Sequence, residues 1–185
     1  NGTCVTITSQ MTVNITPGCT ANAGNDISVC ANNATIALGG SVTIATGGQW
    51  SSNGTGTFSP NNTNLNTNYI PSSADTTAGS VTIYLTTTGN GSCFATIDSL
   101  VVNFTPAPLV NAPNVSVCRN NPNALLNGYS STGTGTWTTL GSGTFNPNNT
   151  IPNPTYIPST ADTTAGSVLI VYTSTGNGGC NAVTD

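Results

Sequence analysis

A chain of 185 residues has room for one or two cores, since single domains usually run to about 100–150 residues. Only 3% of it is charged, as five Asp and Arg119 with no Glu, Lys or His, and the net charge is −4; this excludes nucleic acid and anionic membrane as partners, which need a basic patch, and acid–base catalysis, which needs paired titrating groups. No apolar run reaches the roughly 20 residues that span a bilayer, no charged apolar leader opens the chain, and six Cys without a His or a C-x-x-C pair fit disulfides of an oxidising compartment rather than zinc.

Residues 1–20 read as the terminal strand of a preceding module, because Asn1-Gly-Thr-Cys4 matches Asn90-Gly-Ser-Cys93 and Asn14-Ile-Thr-Pro17 matches Asn103-Phe-Thr-Pro106. Residues 21–107 form the first full module. Strands are predicted near Ile27–Cys30, Thr35–Thr46, Gly48–Ser52 and Gly56–Ser59. A hairpin then runs from Val81 to Thr87, turns at Gly89-Asn90-Gly91, where glycine supplies positive φ, and returns from Cys93 to Phe104. Apolar residues alternate in Val81-x-Ile83-x-Leu85 and Leu100-x-Val102-x-Phe104, the period of a half-buried strand, and helical spacing is nowhere sustained.

The linker Thr105–Pro113 carries three prolines, which favour a short, stiff connection. Residues 108–185 repeat the module at a shift of 87. Trp137 falls on Trp50, Phe145-Asn-Pro-Asn-Asn on Phe58-Ser-Pro-Asn-Asn, Tyr156-Ile-Pro-Ser on Tyr69-Ile-Pro-Ser, Ala161–Val168 identically on Ala74–Val81, and Cys180 on Cys93. In the same register Asp185 corresponds to Asp98, so this module is expected to lack its last strand. A period of this size means domain-sized units, so the fold predicted is all-β, a tandem of antiparallel β-sandwich modules of about seven strands each, joined into a rod.

Trp50 and Trp137 share one phase and admit two readings, a repeated sugar-stacking platform or the centre of each sandwich core; core packing is the stronger, and the same holds for Tyr69 and Tyr156. The simplest disulfides lie within modules, Cys30 with Cys93 and Cys118 with Cys180, although Cys30 at the end of a first strand and Cys93 at the start of a last one would sit at opposite poles of a plain immunoglobulin topology. Cys4 has the phase of Cys93, and Cys19 has no repeat counterpart because Pro108 holds its position; a local Cys4–Cys19 bond and an intermolecular bond through Cys19 both remain open. Asp26, Asp75, Asp98, Asp162 and Asp185 are scattered, with no D-x-D cluster for calcium, and no cofactor motif is present. Nine N-x-S/T sequons are about what the abundance of Asn, Ser and Thr yields by chance.

Asn22–Leu38, Gly47-Gly-Gln-Trp50, Gly56–Asn62, Ala74–Ile83 and Thr88–Cys93 together resemble the PKD-like and immunoglobulin-like tandem repeats of very large Bacteroidota surface proteins, gliding-motility adhesins among them. The resemblance covers nearly the whole chain. It implies type IX secretion, display on the outer cell surface, and a role as stalk or adhesin, with neighbouring modules as partners and surface glycans as a further partner. It also implies O-glycans on Thr76, Thr163 and Ser99, which follow Asp in D-T-T and D-S-L. The expected function is a structural, non-catalytic repeat segment of an extracellular filament or giant adhesin. The alternatives are a carbohydrate-binding array, or subunits that polymerise by strand complementation.

Overall fold

The computed structural model describes residues 2–185. The first repeat contains β1 (Thr20–Asn22), β2 (Ile27–Cys30), β3 (Ile36–Gly39), β4 (Ser41–Thr43), β5 (Gly47–Ser52), β6 (Thr57–Ser59), β7 (Asn66–Ile70), α1 (Ser73–Ala78), β8 (Ser80–Thr88) and β9 (Ile97–Thr105). The alternation legible in β8 and β9 is realised, and Val81, Ile83, Leu85, Leu100, Val102 and Phe104 are all buried. One sheet has the order β2-β9-β8-β5, with β2 parallel to β9 and the other pairs antiparallel. A second sheet, β3-β7-β6, packs over it and adds Ile36, Leu38 and Tyr69 to a common core around Trp50. A β1–β4 ribbon covers one margin.

Two details differ from the sequence reading. The stretch Thr35–Thr46 is two strands, because the chain leaves the β3–β7 pairing at Gly40 and pairs with β1 instead. A Cβ on Gly40 would lie 2.6 Å from the Trp50 ring, so only glycine lets the chain cross the indole at that bend. The return strand of the hairpin starts at Ile97 rather than Cys93, and residues 89–96 form a loop whose Gly89 and Gly91 hold φ values of 64° and 61°.

The second repeat contains β10 (Val110–Asn111), β11 (Ala124–Leu125), β12 (Tyr129–Ser130), β13 (Gly135–Thr139), β14 (Thr144–Asn146), β15 (Thr155–Ile157), α2 (Thr160–Ala165) and β16 (Ile170–Ser174). Its core gathers Ala124, Leu126, Trp137, Tyr156 and Tyr172. The Trp137 and Tyr172 rings stack 4.6 Å apart. Strand content dominates throughout, so the protein is all-β with mainly antiparallel pairing.

The helices α1 and α2 were not expected. Each is six residues long, too short to show helical periodicity, and is nucleated by a capping box instead: the Ser72 hydroxyl accepts from the Asp75 N–H while the Asp75 carboxylate accepts from the Ser72 N–H, and Ser159 and Asp162 repeat the arrangement. The spacing S-x-x-D stands in the sequence at both places and is the signal that finds them.

Candidate functional site

Charge is scarce here, and each carboxylate is spent on the backbone. The Asp75 carboxylate accepts from the Thr55 and Gly56 N–H groups at 2.8 and 2.9 Å and from the Tyr69 hydroxyl at 2.7 Å, which ties α1 to the β5–β6 turn and to the centre of the second sheet. Asp162 takes the same part with the Ser142 and Ser159 N–H groups, both at 3.0 Å, and the Tyr156 hydroxyl at 2.8 Å. Asp26 accepts from the Val101 N–H at 2.8 Å, Asp98 from Ala23 at 2.7 Å and Asp185 from Ala112 at 2.7 Å, each fastening the start of a repeat to its later strands.

These contacts set the acidities. Burial pushes the Asp75 carboxyl up, but the N–H groups of Thr55, Ser72 and Gly56 with the Tyr69 hydroxyl outweigh it and hold the group below the usual carboxylate range. The backbone N–H groups of Ser159 and Ser142 hold Asp162 down to about 2. Burial, chiefly, raises the phenols of Tyr69, Tyr156 and Tyr172. The Tyr172 hydroxyl is buried without a hydrogen-bond partner.

The sugar-stacking reading of Trp50 and Trp137 is corrected by their burial, since they are 0% and 3% exposed and present no ring face to a ligand. Their indole N–H groups donate to the Asn64 carbonyl at 3.1 Å and the Pro152 carbonyl at 3.2 Å. The repeated Asn-Asn dipeptides explain themselves here. Asn62 and Asn149 donate from their side chains to the Trp50 and Trp137 carbonyls at 3.1 and 2.9 Å, which latches the strand carrying each Trp.

The expected intramodule disulfides are also corrected. Cys30 is bonded to Cys180, 150 residues away, with the Cα atoms 5.0 Å apart, while Cys4, Cys19, Cys93 and Cys118 are free thiols. The reason is the parallel pairing of β2 with β9. It carries Cys30 alongside Thr105, at the end of the repeat where the linker begins, whereas Cys93 stays in the β8–β9 loop at the other end. Cys180 is taken by Cys30, and Cys4, Cys19 and Cys118 are unpaired, so neither the Cys118–Cys180 nor the Cys4–Cys19 bond is present.

Around Cys30–Cys180 the two repeats meet through polar contacts. The Asn32 side chain donates to the Asn181 carbonyl at 3.1 Å and accepts from the Asn181 N–H at 3.0 Å. The Asn181 side chain donates to the Asn32 carbonyl at 2.7 Å, and Asn33 donates to the Gly179 carbonyl at 3.2 Å. Leu109, in the middle of the linker, bonds in both directions with Ser131, its N–H donating to the hydroxyl at 2.9 Å and its carbonyl accepting from the N–H at 2.8 Å. The junction is thus built from one covalent bond, asparagine side chains and a proline-rich linker.

Of the three residues expected from the resemblance to carry O-glycans, Ser99 is exposed on β9, while the Thr76 and Thr163 hydroxyls donate within their helices, to the Ser73 carbonyl at 3.1 Å and the Thr160 carbonyl at 3.0 Å. No helix of the described residues is long and apolar enough to cross a membrane.

No protein-family model matches the chain, and no curated protein is similar to it in sequence. Among solved structures it is similar to protocadherin gamma B2 extracellular cadherin domains 3–6, at 15% identity and a TM-score of 0.42, over 90% of this chain and 46% of that one.

Proposed function

We propose that the chain is a load-bearing segment of an extracellular filament or giant surface adhesin, built from modules at 21–107 and 108–185, with residues 1–20 as the closing strand of a preceding module. One observation carries this reading: consecutive repeats of one polypeptide are joined by the Cys30–Cys180 disulfide, beside a short linker. A bond across repeats does nothing for either core alone and fixes one unit against the next. A disulfide also fits an oxidising, extracellular setting. The resemblance to Bacteroidota surface repeats points the same way, toward adhesion or gliding. Electron microscopy of the native assembly is expected to show rods or fibres; isolated globules would sink the proposal. Glycosylation at Ser99, Thr76 or Thr163 would add hexose-scale mass to peptides that contain them.

A second reading, strand complementation, is favoured by one pair of surfaces. Between β16 and residues 113–118 runs a groove of about 550 Å³ lined by Trp137, Tyr156, Val168, Ile170, Val115 and Val117. In the first repeat the corresponding space holds Leu100, Val102 and Phe104 of β9. Met11, Val13 and Ile15 align with those three residues and are 87%, 70% and 91% exposed. Residues 9–17 of a second copy therefore suit this groove in sequence and in phase. A labelled peptide of residues 8–17 is expected to bind saturably, and a Val13→Asp peptide not to. Equal binding of the two, or none, removes this reading.

A further inference from the structure

Two of the free thiols, Cys19 and Cys93, stand in the same frame as the bonded pair downstream. Cys19 is 4% exposed and lies just ahead of β1, and Cys93 lies in the β8–β9 loop. Their contacts cross. The Cys19 thiol reaches the Asn90 carbonyl at 3.7 Å, three residues before Cys93, and the Cys93 thiol reaches the Pro17 carbonyl at 3.7 Å, two residues before Cys19. The Thr96 hydroxyl donates to the Cys19 carbonyl at 3.2 Å and closes the cluster. Burial, with the neighbouring Cys93, pushes the Cys19 thiol up.

Downstream, the sulfurs of Cys180 and Cys30 lie 3.7 and 3.9 Å from the Pro106 carbonyl oxygen. Pro106 is the repeat counterpart of Pro17, and Cys180 that of Cys93. Cys19 therefore occupies, beside Cys93, the place that Cys30 occupies beside Cys180. Its absence from the repeat pattern has a physical meaning: it supplies from the adjoining segment the sulfur that an earlier repeat supplies at the other junction.

We infer that Cys19 and Cys93 form a second disulfide, which staples the segment leading into the first unit to its β8–β9 loop. The bond forms by exchange with an external disulfide of a thiol oxidant. The more accessible Cys93 attacks as thiolate and releases one thiol; Cys19 then displaces the second, so two protein thiols become one disulfide and the external disulfide becomes two thiols. Where the chain serves as a shaft, which is the reading proposed above, tension arriving at residue 19 reaches residue 180 through residues 20–30 and the Cys30–Cys180 bond, and the second disulfide ties the β8–β9 loop to the start of that short route.

The bond is tested independently of that role. An Asp-specific protease cutting before Asp26, Asp75, Asp98, Asp162 and Asp185 places Cys19 in peptide 1–25, Cys93 in 75–97, Cys30 in 26–74, Cys118 in 98–161 and Cys180 in 162–184. After oxidative refolding of the full chain with a glutathione pair, non-reducing mass spectrometry is expected to find 1–25 linked to 75–97, two free thiols in place of four, and the same link in Cys4→Ser. Peptide 1–25 released alone, or a link lost in Cys4→Ser, overturns the inference. The rod seen or not seen by microscopy bears only on the shaft reading.

Discussion

The Tyr156 hydroxyl donates to the buried Asp162 carboxylate at 2.8 Å, and 87 residues earlier the Tyr69 hydroxyl donates to Asp75 at 2.7 Å. In both repeats the same phenol also accepts a backbone N–H, from Gly143 at 3.1 Å and from Gly56 at 3.0 Å. Tyr156→Phe removes both contacts, and a third with the Thr139 hydroxyl at 3.2 Å, and leaves the N–H and a carboxylate oxygen short of a partner inside the fold. The expected loss is about 1–3 kcal/mol of unfolding free energy, measured by urea denaturation, because unpaired buried polar groups cost that much. An unchanged midpoint would show the network to be dispensable.

Acid should unfold the protein through these carboxylates. Asp75 and Asp162 are both held below the ordinary aspartate value of 3.8, Asp162 at about 2. A depressed folded-state pKa contributes stability that is complete above the unfolded value and lost as pH falls through the folded one. The midpoint of thermal unfolding is therefore expected to be flat from pH 7 to about 5 and to fall between about 4 and 2. Asp162→Asn should flatten that fall for the second core, read through Trp137 fluorescence in a Trp50→Phe background.

Base should act through the phenols with the opposite sign. Tyr69, Tyr156 and Tyr172 are raised above 10 in the folded state, so their contribution is complete below the unfolded value and lost as pH rises through the folded one. Tyrosinate absorbance on titration is expected to show the buried three ionising only as the fold opens.

The two repeats are not equivalent at one core position. Leu85 of the first is Tyr172 in the second, and its hydroxyl is buried without a partner. Tyr172→Phe removes that orphan and keeps the ring against Trp137. It should leave stability equal or raise it by up to about 1 kcal/mol, the reverse of Tyr156→Phe. A loss of more than that would mean the hydroxyl has a partner in solution.

Much of this was readable in the residues themselves. The alternation Val81-x-Ile83-x-Leu85 specifies a strand face, the 87-residue register specifies the repeat, and Trp50 with Tyr69 marks the core. Ser72-x-x-Asp75 also carries its helix in plain view, but as a local cap rather than a period. The junction disulfide was hidden for a different reason. Matching phases within one period favours Cys30 with Cys93, and only the parallel registration of β2 on β9, a long-range feature, sends Cys30 to the far pole where Cys180 of the next repeat waits.

That pairing also gives the sharpest test of the junction. Arg119 is the only basic residue, so trypsin has a single site and divides the chain into 1–119 and 120–185. Cys30–Cys180 spans the cut, and the two pieces are expected to stay together without reductant and to separate with it. A Cys118–Cys180 bond would give the same gel, so the variants decide: Cys118→Ser should keep the linkage and Cys30→Ser should abolish it. The asparagine contacts alone cannot replace the bond, since each exposed hydrogen bond contributes at most about 1 kcal/mol. Asn32→Ala, which removes the two made by its side chain, should therefore leave the solution scattering profile unchanged while Cys30–Cys180 is intact. The same substitution in Cys30→Ser should broaden the profile further than Cys30→Ser alone. Additive broadening in both backgrounds would instead make the asparagines the principal clamp and the disulfide an accessory.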